Sequence, residues 1–451
     1  MGWTAALRVA MLAMLAAGPA RAGEPPAGPV LLTIVVAGDT GLNENMQRVV
    51  PAGGYKWGTL YPWQDAVAGI RADIDGDLAI ANLETVVSDR NELRAEAKQF
   101  RFRMHPEGVR HLVRAGINVF TTANNHSMDF GAGGARDTLR HLEALKAEGL
   151  IAHAGLGLTY TAAAEPAIAE IKGARVAIGA IGIVTQGLGH HRAGADRPGQ
   201  LAYHSDEDFA EITRRLSSAR AGYRILAVHY GSEFDVFTSP DQIRRLRGEA
   251  VRGAGIDLVI GHHQHVVAGV EMADGRLIFY GLGNFAHFGT MDMGRLDACR
   301  DYGLIGRVHL EIDAGRARIR AVEAIPIKAT HLRPVRFEAK EARRRIEILN
   351  ALSARLDDAA SGARSVRFGP MSDGTGLYCT PHAQAGGGRI AQLCAQAAGS
   401  ELTGGDGVRA GIAPCGQAIA RSGVPRTPKG VSVADGEPDS PGDWRRRVFG
   451  P

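Results

Sequence analysis

The chain has little that would hold it in a membrane or build a thiolate metal site. Its 451 residues include only four cysteines, and no two of them form a C-x-x-C pair, so a zinc ribbon is not indicated. No segment reaches the roughly 18 uncharged apolar residues that a membrane-spanning helix needs. The formal net charge is only +4 at pH 7, which gives no indication of a nucleic-acid partner.

The first 22 residues have the pattern of a secretion signal. Arg8 supplies a basic start, residues 9–17 an apolar core, and Ala20-Arg21-Ala22 a cleavage site of the small-x-small type. We therefore expect a mature chain that begins at Gly23 and is exported to the periplasm or cell envelope. No cysteine lies near the cleavage site, so a lipid anchor is not indicated. An uncleaved membrane anchor is the alternative.

The cysteines are compatible with two disulfides in an oxidising compartment. Four cysteines allow three connectivities, and the sequence leaves all three open. We favour a bridge between Cys379 and Cys394, because it would brace a glycine-rich region. Cys299 and Cys415 would then remain as the second pair.

From about Val30 to Pro334, strand-like runs alternate with amphipathic stretches, which is typical of a layered α/β architecture. Beyond Pro334 the pattern weakens and Gly, Ala, Ser and Pro dominate. We predict a signal peptide at 1–22, one large domain at 23–336, a helical segment at 337–359 and a Gly/Ala/Pro-rich, partly disordered extension at 360–451. Helices are expected at 106–115, 137–146, 241–254 and 338–356, and strands at 34–37, 78–81, 117–123, 174–183, 225–228, 258–260, 277–280 and 305–312.

Five polar clusters each follow a run of β-forming residues. In open α/β sheets, ligand-binding groups gather at the carboxyl ends of such strands. Donors from five distant segments would therefore converge, and we predict a site for one or two divalent cations. The clusters are Gly38-Asp39, Asn82-Leu83-Glu84, Asn124-Asn125-His126, His229 and Gly261-His262-His263-Gln264-His265.

Single members of this set also have structural interpretations. Asp39 precedes Thr40-Gly41, and an aspartate there is a common turn former. Glu84 lies between a buried strand and a polar loop, where a carboxylate is costly unless it is paired, hydrogen-bonded or bound to a cation. Arg101 or Arg103 are candidate partners for it. A lone histidine such as His229 at a strand end is usually structural.

The stretch from Thr121 to Gly131 is the most specific. An asparagine oxygen here can complete a divalent coordination shell, while the adjacent His126 reaches the substrate as an acid or electrostatic stabiliser. Asp129 can orient that imidazole and fix its tautomer. The alternative is a polar turn capped by asparagine and aspartate.

His263 and His265 form a His-x-His pair, which on an extended segment would place both imidazoles on one side. A surface histidine run is the alternative. Together the clusters offer oxygen and nitrogen donors without a thiolate, a set that suits Mn, Fe or Zn. Two such ions about 3.5–4 Å apart would activate water and clamp a phosphoryl group. Metal-assisted phosphoester hydrolysis follows as the mechanistic hypothesis.

In this order, the motifs resemble those of the CapA family, the poly-gamma-glutamate capsule-synthesis proteins of the calcineurin-like metallophosphoesterase superfamily. The resemblance covers about residues 30–334. It is carried by Gly38-Asp39, Ala81-Asn82-Leu83-Glu84, Ala123-Asn124-Asn125-His126 with Asp129 and Gly131, His229-Tyr230-Gly231-Ser232-Glu233, Gly261-His262-His263-Gln264-His265 and Tyr280-Gly281-Leu282-Gly283-Asn284-Phe285.

The resemblance implies an α/β fold: a four-layer α-β-β-α sandwich of metallo-dependent phosphatase type, with an irregular C-terminal appendage and a binuclear site between the sheets. His126 would assist departure of the leaving group. Two departures from the superfamily pattern are Gly41, where a histidine is usual, and Glu84, where an aspartate is usual. As implied ligands, Asp39 and His265 would hold one divalent ion (Mn, Fe or Zn), Asn125, His229 and His263 the other, and Glu84 would bridge.

The leading functional interpretation is an exported metal-dependent hydrolase, of phosphoesterase type, in capsule or cell-envelope polymer synthesis. Its expected partners are an anionic polymer or phosphoester substrate and a capsule-synthesis membrane complex, with no nucleic acid. The alternative is a non-catalytic, polymer-binding component of a capsule synthesis or export assembly.

Overall fold

The computed structural model describes residues 28–43, 63, 66–185, 187–288, 290–398 and 415. The predicted signal peptide and most of the predicted C-terminal extension lie outside the described residues. The strands are β1 Val30–Gly41, β2 Leu78–Leu83, β3 Val86–Val87, β4 Arg103–Met104, β5 Val119–Thr121, β6 Ala152–Ala154, β7 Ala167–Ile171, β8 Ala174–Gly182, β9 Tyr223–His229, β10 Leu258–His262, β11 Val270–Ala273, β12 Arg276–Phe279, β13 Asn284–His287, β14 Gly303–Asp313, β15 Arg316–Lys328, β16 Val335–Arg336, β17 Arg364–Ser365, β18 Gly369–Pro370 and β19 Gly376–Cys379.

α-Helices follow seven of the described strands. The expected helix at 106–115 is confirmed: it has Pro106 in its first turn, and Gly116 ends it with φ 125°. The expected helix at 241–254 begins at Pro240 and continues as a π-helix over Ile243–Gly253. The α-helices are α1 Pro106–Ala115, α2 Gly131–Leu145, α3 Tyr160–Ala164, α4 Asp206–Ser218, α5 Pro240–Gln242, α6 Ala339–Ala354 and α7 Gly388–Ala398. Among the described residues, none is long and apolar enough to cross a membrane.

Two large sheets organise the fold. The first has ten strands, in the order β18-β19-β15-β14-β1-β2-β5-β6 with β13 beside β1 and β16 beside β15. The second has seven strands, in the order β17-β11-β12-β10-β9-β8-β7. β1, β2 and β5 run parallel in one sheet, as do β8, β9, β10 and β12 in the other. The expected mixed α/β architecture is confirmed.

Alternation along the central strands sends side chains into different apolar clusters. Ile34 of β1 shares one cluster with Ile225 of β9 and Ile260 of β10, so this cluster joins the two sheets. The next residue, Val35, belongs to another cluster that includes Leu112 of α1. Strands buried on both faces carry continuous apolar runs, which explains why these segments read as Val, Ile, Leu and Ala without strict alternation.

Residues 364–398 differ from the irregular appendage that we expected. β19 pairs with β15 at the edge of the first sheet, and β17 pairs with β11 of the second. Ile390 of α7 packs with Leu377 of β19 and Ala321 of β15. These short strands take their hydrogen bonds from strand edges far away in the sequence, a stabilisation that local composition does not reveal.

Two disulfides connect all four cysteines. The favoured bridge between Cys379 and Cys394 is confirmed, and it ties α7 to β19. The second bridge joins Cys299 to Cys415, with Cα atoms 5.8 Å apart. One of the three connectivities that the sequence left open is thereby selected.

Glu323 of β15 forms an ion pair with Arg389 of α7. Its carboxylate lies 2.8 Å from Nε2 of His309 and 3.1 Å from a guanidinium nitrogen of Arg389. Burial raises the pKa of this carboxyl, but the contact with His309 and the charges of His309, Arg307 and Arg389 outweigh burial and lower the pKa to about 2.

This shift predicts an acid-sensitive contribution to stability. Because the folded pKa of Glu323, about 2, lies below the ordinary 4.5, its ionised form stabilises the fold above pH 4.5, and the contribution is lost as pH falls from 4.5 towards 2. Urea unfolding of wild type and Glu323→Gln at about pH 6 and about pH 3 measures it. We expect the difference in free energy of unfolding between the two proteins to shrink at the lower pH. An unchanged difference would contradict the assignment.

Candidate metal centre

The five polar clusters come together between the two sheets. Asp39 lies near the end of β1, Glu84 follows β2, and Asn125 follows β5, all in the first sheet. His229 ends β9 and His263 follows β10, both in the second sheet. The two halves touch directly, since His262 Nε2 lies 3.2 Å from the carbonyl oxygen of Ala37. All eight site residues predicted from the sequence belong to this one cluster or its immediate contacts.

Two glycines allow the backbones to approach this closely. A Cβ atom at Gly38 would lie 1.9 Å from the carbonyl oxygen of Gly283, and one at Gly261 would lie 2.2 Å from that of Tyr280. Real Cβ atoms do not approach backbone at such distances. The close approach of the neighbouring backbone therefore requires the glycines in front of Asp39 and His262, which accounts for their place in the motifs.

Glu84 is the most unusual group in the cluster. Its side chain is 0% exposed, yet neither carboxylate oxygen accepts a hydrogen bond from any residue that the structure describes. One oxygen lies 3.5 Å from His229 Nε2 and the other 3.3 Å from His287 Nε2. A buried carboxylate without donors is strongly destabilising unless an opposite charge balances it. The surroundings of Glu84 therefore favour a cation.

One group of donors surrounds His229. Its Nε2 atom lies 2.8 Å from Oδ1 of Asn125, 3.1 Å from Nδ1 of His263 and 3.5 Å from Oε1 of Glu84. Two imidazole nitrogens, an amide oxygen and a carboxylate oxygen thus face one another. Glu84, His229 and His263 each offer a ligand atom within 4.8 Å of the others. This is the donor set that Zn, Fe or Mn accept.

A second group shares Glu84 with the first. Asp39, Glu84 and His265 also offer ligand atoms within 4.8 Å of one another, and His265 Nδ1 lies 3.5 Å from Asp39 Oδ2. Asn82 donates to Asp39 Oδ1 at 2.8 Å, and the backbone N–H of His263 donates to Asp39 Oδ2 at 3.1 Å. These two donors fix the carboxylate of Asp39 in place.

The His-x-His segment has a different backbone from the one that we expected. β10 ends at His262, and His263 and His265 have positive φ angles of 91° and 58°. The expectation of an extended segment is therefore wrong. A left-handed turn brings both imidazoles to the centre instead. Such a backbone costs energy for non-glycine residues, and it is typical of functional sites.

Charge coupling within the cluster is strong. Burial opposes the charged form of every group here, yet the pKa of Asp39 falls to about 2, because contact with His229 and the charge of His262 outweigh burial and the charge of Glu84. Burial likewise lowers the pKa of His229, but Glu84 and Asp39 raise it to about 9. Burial, followed by His229 and His265, lowers the pKa of His263 to about 3. Burial raises the pKa of Glu84 too, but the charges of His265 and His229 outweigh burial and hold the pKa well below its ordinary value, so both carboxylates stay ionised beside positive charge.

His126 lies beside the two donor groups as a separate unit. Its Nδ1 lies 2.6 Å from Asp129 Oδ2, and its Nε2 faces Glu84 Oε1 at 3.9 Å. Lys98 Nζ also lies 3.3 Å from Nδ1, and in the tautomer with Nδ1–H directed at Asp129, Nε2 faces the centre. Lys98 Nζ lies 2.5 Å from the other oxygen of Asp129. Asp129 thus contacts both the imidazole of His126 and the ammonium group of Lys98.

Two residues singled out in the sequence, Asn124 and Arg103, make structural contacts. Asn124 binds backbone: its amide donates to the Leu83 carbonyl at 2.8 Å, and its Oδ1 accepts from the His126 N–H at 3.0 Å. Arg103, a candidate partner of Glu84, instead donates to the carbonyl of Arg90 and to Asn91.

Several further residues belong to the centre besides the predicted site residues. Asn284 Oδ1 lies 2.8 Å from His265 Nδ1 and is placed by β13, whose Asn284 pairs with Asp39 of β1. His287, on the same strand, is fully buried, and neither of its ring nitrogens has a hydrogen-bond partner among the described residues. The motif at residues 280–285, which contains Asn284, could have indicated from the sequence that β13 belongs to the centre. Lys98 lies in an irregular loop, and no pattern in the sequence marks it.

Residues 33–288, more than half of the chain, match the family model described as "Bacterial capsule synthesis protein PGA_cap". The chain belongs to this family. This confirms the resemblance to the CapA proteins drawn from the motifs, and the calcineurin-like superfamily is consistent with it.

Individual relatives of this chain are also described as capsule or polyglutamine synthesis proteins. A capsule biosynthesis protein CapA of Bacillus anthracis is 26% identical over 258 residues, which cover 56% of this chain and 59% of that protein. A probable polyglutamine synthesis accessory protein of Mycobacterium tuberculosis is 31% identical over 231 residues, 50% of this chain and 59% of that one. The chain thus spans about three-fifths of the length of these relatives. A hypothetical protein of Thermus thermophilus has a solved structure with 17% identity and a TM-score of 0.35, covering 66% of this chain and 99% of that one.

The geometry predicts that a divalent cation stabilises the protein through Glu84. At an ion concentration about 100 times the Kd, the free energy of unfolding should rise by about 2.7 kcal/mol. Adding Mn²⁺ or Zn²⁺ to chelator-treated wild type should therefore raise its melting temperature, and Glu84→Gln should lose this response because it removes the shared charge.

The matched control is Glu323→Gln, which alters another buried carboxylate beside a histidine. It should keep the full response to the ion even if its own stability is lower. Equal responses of Glu84→Gln and wild type would show that Glu84 holds no cation.

Proposed function

We propose that this protein is an exported, metal-dependent hydrolase of phosphoesterase type that acts in the synthesis of a capsule or cell-envelope polymer of the poly-gamma-glutamate kind. Membership of the capsule-synthesis family supports the polymer context. The observation that carries the chemistry is the buried carboxylate of Glu84, which is without donors among the described residues and is shared by two groups of nitrogen and oxygen ligands.

The residues present fit a pair of divalent ions. Asp39 and His265 would hold one, Asn125, His229 and His263 the other, and Glu84 would bridge them. His263 Nδ1 and His229 Nε2 lie 3.1 Å apart and share a hydrogen bond, so a cation that displaces the shared proton would have both nitrogens within reach. When bound, such ions supply a water of lowered pKa and a clamp for the phosphoryl oxygens.

The protein's own contribution is positioning and proton transfer. Asn82 and the His263 backbone hold Asp39 in one orientation, so its ligand atoms need not reorganise. His126, oriented by Asp129, presents Nε2 towards the centre, where its doubly protonated imidazolium form would donate the Nε2 proton to the leaving oxygen. Lys98 contacts both Asp129 and the carbonyl of Asn125, at 2.5 Å and 2.6 Å, and so fixes the turn that carries His126.

The architecture and the location form part of the same proposal. Apolar clusters between the sheets and on their outer helical sides support a four-layer α-β-β-α sandwich of metallo-dependent phosphatase type. The leader-like start of the sequence and two disulfides, which persist in oxidising compartments, support export to the periplasm or cell envelope.

Substitution of His126 is the direct test of catalysis. His126→Ala should lower kcat for a generic phosphodiester such as bis(p-nitrophenyl) phosphate by about 10²–10⁴-fold, the usual contribution of a general acid. Metal content should stay at the wild-type level, because His126 is not among the proposed ligands. Steady-state kinetics of Mn²⁺-loaded protein, with the remote His111→Ala as the matched control, provide the measurement.

The alternative, a non-catalytic polymer-binding component, makes a different prediction. In that case neither wild type nor variants turn over any phosphoester, while retention of poly-gamma-glutamate survives both His126→Ala and Asp39→Asn. An active wild type whose rate is unchanged by His126→Ala would contradict the assigned role of that histidine.

A further inference from the structure

A third group of side chains that could hold a metal ion lies outside the centre. Glu96, His190 and His191 each offer a ligand atom within 4.8 Å of the others. His190 Nε2 lies 3.2 Å from Glu96 Oε2, and His191 Nε2 lies 3.9 Å from Glu96 Oε1. Glu96 comes from the irregular segment before β4, and the two histidines come from a short 3₁₀ turn, Gly189–His191.

His191 is the unexplained member of this group. Its side chain is only 2% exposed, and its Nε2 atom has no hydrogen-bond partner among the described residues, although it points towards Glu96. A buried ring nitrogen normally finds a partner, and leaving one unsatisfied is destabilising. The unpaired ring nitrogen beside Glu96 is therefore the observation that points to a bound ion.

We propose that Glu96, His190 and His191 bind one divalent transition-metal ion, separate from the ions of the main centre. Two nitrogens and one carboxylate oxygen form a donor set that suits zinc, cobalt or nickel. Ligand atoms about 2.0–2.1 Å from a tetrahedral ion lie about 3.4 Å apart. The nitrogens of His190 and His191 lie 3.2 and 3.9 Å from the two oxygens of Glu96, and one ligand atom from each of the three residues lies within 4.8 Å of the others. The fourth position would belong to water, because His190 is exposed to solvent.

Such an ion would connect two loops to the turn that carries His126. The backbone N–H of Glu96 donates to the carbonyl of Asp129 at 2.8 Å, and Lys98, two residues further on, pairs with the Asp129 side chain. On the other side, the N–H of Gln200 donates to the carbonyl of His191 at 3.1 Å, and its side chain donates to the carbonyl of Asn124 at 2.9 Å. The third ion is therefore inferred to stiffen the support of His126 without contacting the reacting atoms.

Zinc stoichiometry of the full chain tests the inference independently of any catalysis. Chelator-treated protein is loaded with Zn²⁺, dialysed, and its zinc content per chain is measured by elemental analysis. His190→Ala, which changes an exposed residue, and Glu96→Gln, which keeps the side-chain size, should each bind one zinc ion fewer than wild type. The exposed His204→Ala, whose histidine contacts Tyr203 and Tyr230, is the matched control and should bind as much zinc as wild type.

A second readout separates this site from the main centre. In a His263→Ala, His265→Ala background, Co²⁺ should still give the visible absorption of a nitrogen- and oxygen-ligated ion, and adding His190→Ala should remove it. Far-ultraviolet circular dichroism verifies that each protein is folded, and Glu96→Gln in wild type serves if the triple variant is not. Equal zinc content in wild type, His190→Ala and Glu96→Gln would overturn the inference while leaving the proposed function untouched.

Discussion

The structure depends on one electrostatic constraint, the ionised carboxylate of Glu84 in a place that water does not reach. Burying an isolated carboxylate costs several kcal/mol even after the protein relaxes, and no neutral donor among the described residues offsets this cost. What surrounds Glu84 is a set of imidazoles, from His126, His229, His265 and His287, together with Asp39. Asp39 and His265 form one group of donors with Glu84, and His229 forms the other together with His263. A cation in each group would balance the charge of the carboxylates.

The surrounding fold holds two sheets close enough for this arrangement. At Gly38 and Gly261 the neighbouring backbone lies closer than any side chain would allow, and the contact of His262 with Ala37 joins β10 to β1. The left-handed backbone at His263 and His265 is a further cost, which the folded protein sustains to direct both rings inward. The same turn gives Asp39 a backbone donor. Backbone geometry and ligand orientation are thus set by the same few residues.

Much of this could be predicted from sequence, because the relevant signal is local. Asp39, Glu84 and His229 stand where buried apolar runs end, and the ends of parallel strands meet at one edge of a sheet. The chemistry that depends on long-range contacts could not be predicted. Lys98 lies in a loop without periodicity, and the orphaned ring of His287 is evident only once β13 is paired with β1. The turn at His263 was predicted as extended, since local alternation carries no information about positive φ. The strand at Gly376–Cys379 was missed because its stability comes from the edge of β15.

Anomalous diffraction from crystals of the manganese-loaded protein tests the central claim most directly, since it locates each ion relative to the Glu84 carboxylate. The account predicts two manganese peaks about 3.5–4 Å apart, both in contact with Glu84, one beside Asp39 and His265 and the other beside His229 and His263. A fully loaded crystal with no peak at Glu84, or with a single peak that does not touch it, would contradict the account.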